Sequence, residues 1–192
     1  MGRELELKYR ATEQQQAAIQ AKFGTFRQIA METAYFDTPN GTLSSQRMTL
    51  RLRKENDTTL CTLKTPLPDG SRGEWECETT DINAGVQELI RLGAPEVLPD
   101  LIRDTLIVAC GARFTRLAAE IPTADGTAEL ALDSGVLIGG GKEIPLCEVE
   151  IELKTGSDDA VQALAHAIAA EFSLTEEPHS KFHRASALAK GE

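Results

Sequence analysis

The stretch "CEVEIEL" at 147–153 sets Glu148, Glu150 and Glu152 in alternation with Val149 and Ile151. Successive side chains of a β-strand point to opposite faces, so these carboxylates share one face at steps of about 7 Å. Like charges so placed repel unless something joins them, and a divalent cation with hard oxygen ligands does so. A basic series, Arg51, Arg53, Lys64, Arg72 and Arg116, has the opposite requirement. Arginine offers phosphate oxygens a planar fork and lysine a compact charge, and an anion relieves the crowding of such cations. Together the two sets can hold a metal on one side and a phosphate-rich anion on the other.

The same alternation recurs along the chain. "RELELKYR" aligns Glu4, Glu6, Lys8 and Arg10, and "TLRLRKE" aligns Arg51, Arg53 and Glu55. "TLKT" pairs Thr62 with Lys64, "RGEWECE" aligns Arg72, Glu74, Glu76 and Glu78, and "AELALD" aligns Glu129, Ala131 and Asp133. For any one antiparallel strand, a polar face turned to water is the better reading. Repetition with both signs favours strands that close around one charged interior, which removes exposed edges and leaves an apolar outer face for helices to cover. An open sheet with a solvated face needs no ligand and remains the alternative.

The elements that must position these residues follow from periodicity. Strands are expected at about 3–10, 29–38, 47–55, 58–66, 72–80, 111–122, 126–139 and 143–155. "ENDTT" and "IGGGKE" read as hairpin turns. Helices are expected at about 12–22, 83–92, 97–110 and 157–172; the last opens on "SDD" and carries Val161, Leu164, Ala165, Ile168 and Phe172 as one stripe. Thr12 and Gln15 have the spacing of a capping box. The class is α+β, strand-dominated, in a single domain over 1–192 with a C-terminal tail from about 174.

Composition narrows the function. A net charge of −10 argues against a general nucleic-acid binder. No apolar run is long enough to cross a membrane, and no leader pattern opens the chain, so a cytoplasmic protein is expected. The cysteines at 61, 77, 110 and 147 are too widely spaced for a Cys-x-x-Cys site and read as buried thiols. "GGGKE" at 139–143 lacks the hydroxyl residue of a phosphate loop, and His179 and His183 lack the glutamate of a zinc-protease helix. His166, on the helix expected at 157–172, reads as structural.

The order of "ELELK", "YFDTP", "LRLRKE", "TLK", "RGEWE", "ARFTR", "ELALDSG", "CEVEIEL" and "SKFHRA" resembles the CYTH superfamily, the triphosphate tunnel metalloenzymes, and is most similar to the CYTH domain of bacterial inorganic triphosphatases. The resemblance implies an eight-stranded antiparallel β-barrel with helices packed on its outside. It implies Mg²⁺ or Mn²⁺ as cofactor, and hydrolysis of a small-molecule triphosphate to pyrophosphate and phosphate. Glu4, Glu6, Glu148, Glu150, Glu152 and, ranked last, Asp133 would then be metal ligands. Lys8, Arg51, Arg53, Lys64, Arg72, Arg116, Lys181 and Arg184 would bind phosphates, with Arg72 in a less defined role. The two glutamates of the opening, Lys8, Glu148 and Glu150 would carry catalysis. The rivals are a class IV adenylate cyclase, a thiamine-triphosphatase with Trp75 or Tyr35 stacking on an organic group, and a non-catalytic polyphosphate or nucleotide binder.

Overall fold

The computed structural model describes residues 2–3, 5–67, 72–103 and 105–192. The alternating stretches become β1 (Gly2–Arg3), β2 (Glu6–Arg10), β3 (Arg27–Asp37), β4 (Thr49–Glu55), β5 (Thr58–Pro66), β6 (Arg72–Glu78), β7 (Ile107–Pro122), β8 (Thr127–Gly139) and β9 (Lys142–Thr155), with a two-residue β10 (Thr175–Glu176). The helices are α1 (Glu13–Phe23), α2 (Thr42–Ser45), α3 (Ile82–Arg91), α4 (Leu98–Leu101), α5 (Asp158–Phe172) and α6 (Lys181–Lys190).

All strand pairs are antiparallel, in the order β1-β6-β5-β4-β3-β7-β8-β9-β2-β10. The strand count differs from the eight of the expected barrel, and the ladder runs as a linear order of ten. The expected stretches are all present; the additions come from the first one, divided into β1 and β2, and from β10. Gly2 and Arg3 pair with Glu74 and Gly73 of β6, whereas Glu6–Arg10 pairs with β9. The N-terminal segment therefore meets β6 at one end of the order and β9 at the other.

Turn chemistry sets the hairpins. Gly140 and Gly141 take φ of 57° and 74° between β8 and β9, the left-handed pair that a two-residue turn requires. Asn56 at φ 53° does the same work between β4 and β5. The helix expected over 97–110 is reduced to α4, with Pro99 in its first turn. From Ile107 onward the segment joins β7 instead, pairing with Asp37 and Phe36 of β3 across an irregularity in register. β-Branched Ile107 and Val108 fit a ladder better than a helix once β3 offers an edge.

The apolar faces of the strands are covered by helices. Leu130, Leu132, Val149 and Ile151 pack with Ile19 of α1 and with Val161, Ala165 and Ile168 of α5; Leu5 and Leu7 lie against the same cluster. Each large aliphatic side chain so buried contributes about 1.5–3 kcal/mol. Thr12 and Gln15 form the capping box of α1, and Ser157 caps α5 through the Ala160 N–H. Leu50, Leu63 and Trp75 are covered by Val86 and Leu89 of α3 and Leu98 of α4. The exception is α6. Its Phe182, Ala185 and Ala189 pack with Tyr35, Phe114 and Leu137, which share the inward face of the strands with the charges. His166 is exposed on α5 and takes no part in the core.

Candidate functional site

The charged residues converge on one cavity of about 790 Å³. Alternation places them there, because Leu50 and Leu52 of β4 go to the helix-covered side and Arg51 and Arg53 to the other. Two walls result. Arg51, Arg53, Lys64 and Arg72 line the cavity from β4, β5 and β6. Glu6, Glu129, Glu150 and Glu152 line it from β2, β8 and β9, with Lys8 and Lys154 among them. Arg116 of β7 stands between the walls, and Lys181 reaches the cavity from the start of α6. Glu4 lies outside the described residues.

The basic wall holds its charges loosely. Arg51 and Lys64 approach Glu74 at 3.9 and 3.5 Å, and Arg53 approaches Glu55 at 3.9 Å. Arg53 Nε donates to Thr33 Oγ1 at 3.2 Å. Burial, then the charges of Arg51 and Arg116, lower the Arg53 pKa from its ordinary value. Arg51 Nε is buried with no hydrogen-bond partner among the described residues. A buried donor without an acceptor costs free energy that an anion in the cavity can recover.

The acidic wall has two layers. Glu6 pairs across the ladder with Glu152, and Glu152 with Glu129, so these three carboxylates form a row over β2, β9 and β8. Behind the row lie Asp133 and Glu148, both fully buried, which with Glu150 bring one oxygen each within 4.8 Å of the others. Such hard oxygen donors suit Mg²⁺ or Mn²⁺. The inner three are also ion-paired. Arg116 grips Asp133 with Nε at 2.8 Å and a terminal nitrogen at 2.7 Å, and also contacts Glu150. Lys181 touches all three, and Arg184 touches Glu148.

Titration follows from these contacts. Burial works against the Lys181 charge, yet Asp133, Glu150 and Glu148 outweigh it and hold the ammonium protonated well above its usual range. Burial alone would raise Glu150, but Lys181 and Arg116 keep it well below the ordinary carboxylate range. Glu148 goes the other way, pushed up by burial against the pull of Lys181 and by the charge of Glu150.

Of the residues expected from the sequence, Glu6, Lys8, Arg51, Arg53, Lys64, Arg72, Arg116, Glu150, Glu152 and Lys181 share the cavity wall. Asp133, Glu148 and Arg184 are joined to it through the buried ion pairs. Two residues were not expected. Gln16 of α1, buried at 8% exposure, donates to the carbonyls of Asp133 and Glu148 and accepts from Ser134 Oγ, so it fixes the backbone beneath the inner carboxylates. Glu177 accepts from Arg10 at 2.6 Å and lies 3.6 Å from Arg184. Neither carried a local signal: Gln16 stands in a polar run, "EQQQ", and Glu177 beside Glu176.

The CYTH domain family matches residues 2–186. The chain belongs to the CYTH family. The inorganic triphosphatase of Haemophilus influenzae is 31% identical to this CYTH chain over 137 residues, which is 67% of the chain and 37% of that relative. The match therefore spans little more than a third of the longer protein. HpAC1 from Hippeastrum, proposed as an adenylyl cyclase and described with a dominant triphosphatase activity, has the same fold. Its TM-score is 0.65 at 20% identity, covering 98% of this chain and 96% of its own. The PH1819 protein of Pyrococcus horikoshii superposes with TM-score 0.65 at 21% identity, covering 98% of this CYTH chain and 99% of its own.

Proposed function

We propose that this CYTH domain is a metal-dependent hydrolase that cleaves inorganic triphosphate to pyrophosphate and phosphate inside a charged tunnel. The observation that carries the reading is the pair of opposed walls on one cavity, with a buried Arg51 Nε that finds no hydrogen-bond acceptor among the described residues on the basic side. The triphosphatase relative supports the substrate class. In this reading the N-terminal segment, paired with both β6 and β9, closes the strands into the tunnel.

Mg²⁺ or Mn²⁺ would be held by Glu6, Glu152 and Glu150, with Glu148 and Asp133 behind them. When bound it supplies charge to the phosphate oxygens and a more acidic water. The chain's own residues do the rest. Arg51, Arg53, Lys64 and Arg72 take the phosphate oxygens and fix the anion along the cavity. Arg116, set between the walls, and Lys8, on the acidic wall, neutralise charge that grows on the transferred group and the leaving pyrophosphate. No side-chain nucleophile is needed.

The test is phosphate release from tripolyphosphate, ATP and thiamine triphosphate, with Mn²⁺ or Mg²⁺ and again with chelator. Metal-dependent release, fastest from tripolyphosphate, is the expected result. Cyclic AMP from ATP would replace the reading with a cyclase. Tight binding of tripolyphosphate with no release from any substrate would replace it with a binding module.

A further inference from the structure

The oxygens of Asp133, Glu148 and Glu150 converge within 4.8 Å of one another. A side chain occupies the point of convergence. Lys181 Nζ lies 2.8 Å from Asp133 Oδ2, 2.5 Å from Glu150 Oε1 and in contact with Glu148 Oε1. An ammonium so surrounded stands where a hard cation with a ligand shell of about 2.0–2.6 Å would stand.

Charge makes the two mutually exclusive. The three carboxylates face three cations, Lys181, Arg116 and Arg184, with Glu177 3.6 Å from Arg184 and Glu129 3.9 Å from Arg116, so the cluster needs no added charge as it stands. A divalent ion added beside Lys181 would bring two further positive charges among side chains that are 0% exposed at Asp133 and Glu148. Replacing the ammonium by the ion adds one positive charge instead of two, beside a cavity lined by cations that an anion would offset.

We infer that Lys181 and a divalent cation compete for the same three carboxylates, so that metal loading of the inner cluster loosens the start of α6 and docked α6 opposes the metal. The inference rests on the metal-dependent reading above and adds a regulation to it. Lys181 is the first residue of α6, directly after the N-cap Ser180, so losing its partners frees a helix end rather than a helix middle. The far end stays close to the sheet: a Cβ placed on Gly139 would sit 2.3 Å from the Ala185 carbonyl and 2.7 Å from the Ala189 nitrogen. Lys181 already lines the cavity, so once displaced it remains beside the anion's path. By linkage, metal loosens α6 docking by the same factor by which docking weakens metal binding, so weaker docking tightens the metal.

The experiment pairs hydrogen exchange of amides 181–190 with Mn²⁺ affinity by electron paramagnetic resonance, in wild type, Lys181→Met and Gly139→Ala. Saturating Mn²⁺ should speed exchange of the first turn of α6 in wild type by about 10-fold, an ordinary size for coupling between sites. Both variants should bind Mn²⁺ about 10-fold more tightly, and Gly139→Ala does so without altering a charge. The inference is overturned by unchanged α6 exchange in Mn²⁺-saturated wild type, or by variants whose Mn²⁺ affinity does not exceed that of wild type. If wild type takes up no Mn²⁺, new binding in Lys181→Met upholds the competition and its absence overturns it. Loss of triphosphate hydrolysis with these binding results intact would instead reject the proposed function alone.

Discussion

Glu6 of β2 and Glu152 of β9 are direct cross-strand partners on the cavity side of the sheet. Like charges placed opposite each other destabilise a ladder. Lys8 lies 3.6 Å from Glu6 and Lys154 2.9 Å from Glu152, which offsets part of the repulsion. In chelator, Glu152→Gln should therefore melt no lower than wild type. With Mn²⁺ present it should lose metal affinity by more than the roughly 10–100-fold that loss of an outer-shell partner costs, and turnover with it. Calorimetric Mn²⁺ titration beside phosphate release checks both.

Arg53 carries a cost in the absence of substrate, since burial and its neighbours Arg51 and Arg116 disfavour its charge. Arg53→Met should raise the melting temperature by about 2–4 °C in anion-free buffer, as expected for about 1 kcal/mol in a chain of this size. The same variant should lose most of the stabilisation that tripolyphosphate gives wild type, and its KM should rise more than its kcat falls. A thermal shift series with and without the anion, followed by steady-state kinetics, would separate the two effects.

Gly85 lets α3 sit directly on β5. A Cβ there would come 2.6 Å from Cys61 Sγ and 2.8 Å from Cys61 Cβ, both in the core. Gly85→Ala should destabilise by about 1–3 kcal/mol through overpacking, while the folded fraction keeps its KM. Urea denaturation measures the first and kinetics at low temperature the second.

Acid sensitivity should trace in part to Glu177, which is 2% exposed. Burial would raise its pKa, but the hydrogen bond from Arg10, the His179 N–H and the Arg184 charge hold it below the ordinary 4.5. A carboxylate whose folded value is depressed adds stability that is fully present above its unfolded pKa and is lost as pH falls through the folded value. Glu177→Gln should therefore melt lower than wild type at pH 7, with the difference shrinking below about pH 4.3. A set of melting curves from pH 3 to 7 in which the difference stays constant would reject this assignment.

The strands were legible because alternation survives whichever face is buried. What the period could not say is which face is the inside, and the answer came from the sign pattern: Glu6, Arg51, Arg53 and Glu150 line the cavity while Leu5, Leu7 and Leu50 meet helices. Capping chemistry at Thr12 and Ser157 was equally readable, since it is local. The segment after Leu101 was misread because apolar runs there satisfy helix and strand alike until β3 supplies a partner. The ion pairs of Lys181 and Arg184 were hidden for a further reason. Both are expected to meet phosphate, and the packing of α6 on Leu137 and Phe114 brings them to Glu148 as well. Gln16 and Glu177 act through contacts more than 100 residues distant in sequence, which no local pattern encodes.

The pairing of residues 2–10 with both β6 and β9 bears on how the molecule is made. Within this chain β2 is made well before β9, so Lys8 meets Glu150 only once β9 has emerged. Until then β2 lacks that ladder, and charged side chains on an unpaired strand disfavour pairing with another chain. The charged face of β2 thus also works against misassociation before the ladder forms.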